Sequence, residues 1–123
     1  PISHPGHVLR VLEALEARHP LTDIALHFHD TRGTALANVM TGLEAGVLVF
    51  DASAGGLGGC PYAPGATGNL ATEDLLFLLN GLGVQTGVAL DEVLEASAGI
   101  EPLVGHPLAS RVYRAAHATR AVS

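Results

Sequence analysis

Apolar residues recur at helical spacing in the first part of the chain and then give way to a short, mostly apolar run. Between Pro5 and Arg18, valine or leucine occupies positions 8, 9, 11, 12 and 15, which is the spacing of one helix face. Proline suits the first turn of a helix and His19-Pro20 suits a stop, so the pattern predicts an amphipathic helix. The run from Asp23 to His29 predicts a strand of a parallel sheet that is covered on both faces.

The next segment repeats this alternation of helix and strand patterns. Apolar residues at helical spacing run from Thr34 to Ala45 and stop at Gly46, a residue type that commonly closes a helix. A second strand-like run, Val47 to Phe50, follows at once. Strand, helix and strand with short links make a βαβ unit, whose strands pair in parallel through a right-handed crossover.

The rest of the chain is predicted to be a long loop followed by three helices. Residues 53–69 are rich in Gly, Pro and Ala and follow neither period, and a loop this long is usually functional. Helices are predicted over Thr72 to Leu82, with Thr72 as the N-cap, over Leu90 to Ala98 and over Pro107 to Ala118. Two strands cannot close a sheet, and a (β/α)8 barrel takes about 250 residues. We therefore predict that residues 1–123 form part of one domain, an incomplete α/β barrel.

The composition argues against several kinds of binding partner and of catalysis. The chain is 48% apolar and 15% charged, its net charge is −6, and all six basic residues are arginine. An acidic chain without a basic cluster is not expected to bind nucleic acid, and no apolar run is long enough for a membrane span. The single cysteine and the lack of a signal pattern predict a cytoplasmic protein. Without lysine, these residues cannot form a Schiff base.

Two histidines lie at the carboxyl end of the first predicted strand. Residues two apart on a strand project from the same face, so His27 and His29 would both line the barrel, at the end where barrel enzymes place their active sites. Two imidazoles on one face can bind one cation, with the Asp30 carboxylate available to orient a ring. The alternative is that both rings are polar groups at a strand end that loop backbone satisfies.

The glycine-rich segment carries the only thiol of the sequence. Glycines let a backbone approach a ligand closely, and a thiol among them is accessible, so Cys60 is a candidate nucleophile or acid/base residue. The alternative is a flexible loop with an incidental cysteine. A nucleotide cradle is not supported, because neither G-x-G-x-x-G nor the phosphate-loop spacing fits residues 55–69.

Three blocks of sequence occur in a fixed order. They are His27-Phe28-His29-Asp30-Thr31-Arg32-Gly33, the segment Asp51 to Ala63 that includes Gly59-Cys60-Pro61-Tyr62, and the segment Gly65 to Asp74. Together they resemble 3-hydroxy-3-methylglutaryl-CoA lyase, with a likeness that extends from Ile24 to Ala96. The related isopropylmalate and homocitrate synthases carry a different, arginine-containing glycine loop, so the cysteine loop points to the lyase branch.

The resemblance implies a metal-dependent lyase on a (β/α)8 TIM barrel, with this chain as its carboxyl-terminal portion. It implies that His27, His29 and Asn69 bind a divalent cation, Mg2+ or Mn2+, and that His27 also moves protons. Cys60 would act as a catalytic thiol, and Glu73 would support the site. The substrate would be 3-hydroxy-3-methylglutaryl-CoA or a related 3-hydroxyacyl-CoA. Its cleavage would give acetyl-CoA and the ketone body acetoacetate, as in leucine degradation.

One motif of the family is missing from this sequence. The family carries an arginine and a metal-binding aspartate in an R-D-G type motif on its first barrel strand, and no such motif occurs here. We therefore expect these residues alone to be inactive. The full-length lyase that the resemblance implies is expected to be a homo-oligomer, a dimer. Two alternatives stay open: an acyl-CoA-dependent condensing synthase of the same superfamily, and a non-catalytic fragment that completes a barrel with another polypeptide.

Overall fold

Helices and short parallel strands alternate along the first half of the chain, and helices make up the rest. The structure is a computed structural model that describes residues 3–59 and 68–122, with side chains to residue 118. The elements are α1 (Pro5–Glu16), β1 (Ala25–His27), α2 (Ala35–Ala45), β2 (Val49–Asp51), α3 (Thr72–Gly81), α4 (Leu90–Val104) and α5 (Arg111–Val122). Short 3-10 turns, Leu21–Asp23 and Ala54–Gly56, precede β1 and follow β2. Among the described helices, none combines the length and apolar character needed to cross a bilayer.

The elements β1, α2 and β2 form the predicted βαβ unit. The strands are parallel, with the pairs Ala25–Val49, Leu26–Phe50 and His27–Asp51 directly opposite one another. The helix between them ends at Gly46, whose φ of 115° lies in the left-handed region that favours glycine. The parallel pairing of the two strands and the predicted C-terminal glycine of α2 are therefore confirmed.

Both strands are shorter than the hydrophobic pattern predicts, because adjacent segments use their backbone groups. The pattern predicts β1 over residues 23–29, but the Phe28 carbonyl accepts a hydrogen bond from the Leu70 N–H at 3.0 Å, outside the pairing with β2. The pattern also predicts β2 from Val47, whose N–H is instead bonded to the Gly42 carbonyl at 2.9 Å and closes α2. The β1–β2 pairing therefore begins at Val49.

Helix α3 lies where the periodicity predicts it, but Thr72 is not its N-cap. Ala71 holds that position in extended conformation, and no side chain caps the helix there. The N–H of Thr72 instead donates to the Ser53 carbonyl at 2.9 Å. The prediction of the cap was wrong because the beginning of α3 is bonded to the segment that follows β2.

The last two helices are predicted in the right order but with different ends. Helix α4 runs past Ala98 and includes Pro102, so the stop predicted from the loss of periodicity is too early. Helix α5 begins later than residue 107, because the Ser110 hydroxyl accepts the N–H of Tyr113 at 3.0 Å and caps the helix. Leu94, Leu108 and Tyr113 form a small buried cluster between the two helices.

The main core lies between α1, α2, α3 and one face of the strands. Its buried members are Val8, Leu12, Leu21, Phe28, Ala35, Val39, Val47, Leu70, Leu75 and Leu79. Leu26 and Phe50 pack against it from the strands. The alternating residues of the strands, Ala25, His27, Val49 and Asp51, are exposed on the opposite face. The predicted alternation, with His27 on the face away from the helices, is confirmed.

Candidate active site

The two histidines of the H-x-H segment lie side by side at the carboxyl end of β1. Their ring centroids are 5.0 Å apart, and the ring planes are inclined at 75°. His27 is the last residue of β1 and half of its side chain is exposed, whereas His29 is partly buried one residue beyond Phe28. The strand brings both imidazoles to one place, as their spacing predicts.

His27 has a carboxylate partner that sequence reasoning missed. Its Nδ1 lies 2.5 Å from Oδ1 of Asp51, the residue directly opposite on β2. An ionised carboxylate only accepts hydrogen bonds, so Nδ1 carries the hydrogen in this contact and the lone pair of a neutral ring is on Nε2. Asp51 follows the second apolar run, but its place beside His27 depends on the strand register, which the hydrophobic pattern does not supply.

Asn69 lies beside the end of β1, on the far side of the glycine-rich segment. It forms an isolated antiparallel bridge with His29. The Asp30 N–H donates to the Gly68 carbonyl at 3.1 Å, which helps to hold this segment against the end of β1. The Asn69 amide nitrogen donates to the Leu57 carbonyl at 3.0 Å, and this contact orients the amide and leaves Oδ1 as an acceptor.

The nitrogen and oxygen donors at this point fit a divalent cation. Within the described part of the chain, Nδ1 of His29 is buried and has no hydrogen-bond partner, and an unsatisfied buried polar atom costs about 1–3 kcal/mol. Residues 3–59 and 68–118 contain no group of three His, Cys, Asp or Glu side chains placed to hold a metal. A cation here would therefore need a further donor beside the two imidazoles, and the amide oxygen of Asn69, a residue bridged to His29 through the backbone, is the candidate.

The two predicted supporting carboxylates contact backbone around the site. Oδ1 of Asp30 accepts the N–H of Ala35 at 3.1 Å, at the start of α2, and its orienting of an imidazole remains a prediction. Glu73 is completely buried and accepts the N–H of Gly55 and the hydroxyl of Ser97. Glu73 thus holds the start of the glycine-rich segment, while its part in the chemistry remains a prediction.

The two described ends of the glycine-rich segment are in contact with each other beside the site. The Asn69 N–H donates to the Gly58 carbonyl at 3.2 Å, and a Cβ added at Gly68 would lie 1.2 Å from that carbonyl oxygen. Gly58 has a φ of 86°, where a side chain is strained. Cys60, the predicted catalytic thiol, lies outside the described residues.

Comparison with known proteins places these features in a family. The model of the HMGL-like family matches residues 2–100 of the chain. Over 109 residues the chain is 58% identical to hydroxymethylglutaryl-CoA lyase YngG of Bacillus subtilis (strain 168), an alignment that covers 89% of this chain and 36% of that protein.

Solved structures of HMG-CoA lyases share the fold. The enzyme from Pseudomonas aeruginosa is 46% identical with a TM-score of 0.91, over 96% of this chain and 39% of that one. An HMG-CoA lyase from Acinetobacter baumannii, in complex with coenzyme A and 3-methylmalate, is 39% identical with a TM-score of 0.84, over 93% of this chain and 37% of that one. This chain thus spans less than two fifths of these relatives, and its fold is part of a TIM barrel, as predicted. Since the family model matches most of its length, the chain belongs to the HMGL-like family.

Proposed function

We propose that the full-length product of the gene encoding this chain is a divalent-metal-dependent lyase that cleaves 3-hydroxy-3-methylglutaryl-CoA into acetyl-CoA and acetoacetate. The observation that carries the proposal is the pair of adjacent imidazoles at the end of β1, where Asn69 is bridged to His29 through the backbone. The names of the B. subtilis and A. baumannii relatives, and the coenzyme A bound to the latter, support the choice of a CoA thioester.

The reaction breaks the bond between C2 and C3 of a 3-hydroxyacyl thioester. The C3 hydroxyl loses its proton and becomes the ketone of acetoacetate, and the electrons of the broken bond pass to C2, which takes up a proton as acetyl-CoA. A divalent cation held by His27, His29 and Asn69 would supply the Lewis acidity that makes the hydroxyl acidic. The chain's own groups must therefore hold this cation, accept one proton and deliver another.

His27 offers one nitrogen to this chemistry. Its Nδ1 is engaged by Asp51, so Nε2 is the atom that can bind a cation or accept the hydroxyl proton. One lone pair cannot serve both roles at the same time. We therefore assign Nε2 of His27 to holding the cation, and this ring could move a proton through that atom only while no cation is bound there.

The thiol of Cys60 is our candidate for the acid that protonates C2. Its segment starts and ends beside Asn69, because the Asn69 N–H is bonded to the Gly58 carbonyl. Asn69 is in turn bridged to His29, and this position of the flanking residues supports the assignment. A glycine-rich backbone also permits close approach to a thioester.

Assembly and compartment belong to the same proposal. We infer a homodimer in the cytoplasm, and the single cysteine fits a reducing compartment. Light scattering of the full-length protein should give twice the mass of one polypeptide, and a single-polypeptide mass would contradict the dimer.

Turnover of the full-length protein tests the proposed activity. With 3-hydroxy-3-methylglutaryl-CoA and Mg2+ or Mn2+ it should release acetoacetate, and a chelator should stop the release. His29→Ala should lower kcat/KM by at least about a hundredfold, whereas the matched variant His19→Ala, at an exposed position after α1, should behave as wild type. Condensation of acetyl-CoA with a 2-oxo acid without cleavage would instead identify a synthase, and the absence of both reactions would overturn the proposal.

A further inference from the structure

The contact between Asp51 and His27 follows from the register of the sheet. The two residues lie directly opposite each other in the parallel β1–β2 pairing and point to the same face. Their side chains are 60% and 50% exposed, yet Oδ1 and Nδ1 are 2.5 Å apart. The neighbouring pair on this face, Ala25 and Val49, offers no hydrogen-bonding side chain. The Asp51–His27 hydrogen bond is therefore a specific polar contact on an otherwise apolar stretch of the sheet.

The hydrogen bond gives the two histidines different surroundings. The Nδ1 of His27 has a carboxylate acceptor, while in the described part of the chain the Nδ1 of His29 has no partner. A carboxylate acceptor fixes which ring nitrogen carries the hydrogen and restricts rotation of the ring. For His27 it selects the tautomer with the lone pair on Nε2.

We propose that Asp51 is a positioning residue for His27: its carboxylate holds the ring in the Nδ1–H tautomer and makes Nε2 the nitrogen presented to the cation. This inference rests on the proposed function, since the cation is the one assigned above to His27, His29 and Asn69. Asp51 acts through the ring and is not itself a ligand. Carboxylates that orient ligating histidines typically change metal affinity or activity by about 10–100-fold when they are replaced.

Titration of the metal-free full-length protein with Mn2+, followed by electron paramagnetic resonance, tests the assignment. Asp51→Asn should bind Mn2+ about 10–100-fold more weakly than wild type, because the amide can donate to Nδ1 and so permits the wrong tautomer. Asp91→Asn makes the same change of charge at an exposed position in the first turn of α4 and should bind like wild type. Equal Mn2+ affinity of Asp51→Asn and wild type would overturn the inference.

The tautomer of His27 provides a second measurement, which would be the same in wild type and variant if Asp51 had only a structural role. The tautomer can be read from the metal-free protein labelled with 15N-histidine, in which the His27 signals are identified by their loss in His27→Gln. They should show the Nδ1–H tautomer in wild type and a mixture of the Nδ1–H and Nε2–H tautomers in Asp51→Asn. Should the asparagine variant fail to fold, Asp51→Ala removes the acceptor altogether and decides the question. An Nε2–H tautomer of His27 in wild type would overturn the inference.

The outcomes separate this inference from the proposed function. A wild-type protein that neither binds Mn2+ nor cleaves the thioester contradicts the proposed function. A wild-type protein that does both, together with an Asp51→Asn variant that matches it, contradicts only the role of Asp51.

Discussion

Glu73 holds the backbone of Gly55 with both carboxylate oxygens, with the N–H nitrogen 2.8 Å from Oε1 and 3.0 Å from Oε2. The hydroxyl of Ser97, on α4, donates to Oε2 at 3.0 Å. This carboxylate is completely buried and joins α3 and α4 to the start of the glycine-rich segment. Two residues after Gly55, the carbonyl of Leu57 accepts the amide of Asn69. The position of Asn69 therefore depends on a contact made outside the site.

Replacing Glu73 should destabilise the whole protein, because its buried carboxylate accepts two hydrogen bonds from other segments. In Glu73→Ala the Gly55 N–H and the Ser97 hydroxyl lose a buried acceptor, and we expect the free energy of unfolding to fall by about 2–4 kcal/mol. Urea denaturation of the full-length protein measures the loss. Glu95→Ala, at an exposed position of α4, should change it by less than about 0.5 kcal/mol. Equal losses in the two variants would contradict the buried role.

Among the glycines that the structure describes, Gly68 is the one where a single added methyl group should disturb the site most. In Gly68→Ala the added Cβ would lie 1.2 Å from the Gly58 carbonyl oxygen, so the backbone must shift and carry Asn69 with it. We expect Mn2+ affinity to fall by at least about tenfold in a calorimetric titration. Gly99→Ala, in α4, meets no atom within 4 Å and should instead raise stability by about 0.5–1 kcal/mol. Wild-type affinity in Gly68→Ala would show that this close approach is dispensable.

The rise in Tm on adding Mn2+ to the metal-free protein should depend on the Asn69 side chain. A ligand at a hundred times its dissociation constant stabilises a folded protein by about 2.7 kcal/mol, so Mn2+ should raise the Tm of the metal-free wild type. In Asn69→Ala most of this rise should disappear, because the oxygen donor is gone. Asn80→Ala, at an exposed position near the end of α3, should keep the full rise in a thermal scan. A full rise in Asn69→Ala would exclude its side chain from the cation site.

Glu101 should make the α4–α5 corner sensitive to acid. Hydrogen bonds from the Leu108 N–H and the Tyr113 hydroxyl, together with the nearby His117, hold the pKa of this carboxyl below its usual value of 4.5, against a smaller opposing effect of burial. A lowered pKa in the folded state means that the stabilisation is present above pH 4.5 and is lost as the pH falls through the folded value.

The comparison of Glu101→Gln with wild type checks the direction of this pH dependence. The difference in urea midpoint between them should be largest near neutral pH and should shrink below pH 4.5. Glu92→Gln, exposed in the first turn of α4, serves as the charge-matched control. A difference that grows on acidification would contradict the lowered pKa.

The order of elements and the pairing of the two histidines could be predicted because both follow from short-range regularities. A helix repeats every 3.6 residues and a strand every two, so the apolar positions of α1 and α2, and the shared face of His27 and His29, are present in the sequence. The ends of elements could not be predicted. Thr72 has a side chain suited to an N-cap, yet its N–H is bonded to Ser53, and no local pattern carries that contact.

The alternation of helix and strand, the side of the strand on which His27 lies and, through the motifs, the family could all be predicted from the order of the residues. The partners of the two carboxylates became apparent only in the folded chain: Asp51 is bonded to a ring 24 positions away, and Glu73 to a backbone N–H 18 positions away. Such contacts depend on strand register and on the return path of a loop. Both are fixed by the packing of the whole core and not by any stretch of neighbouring residues.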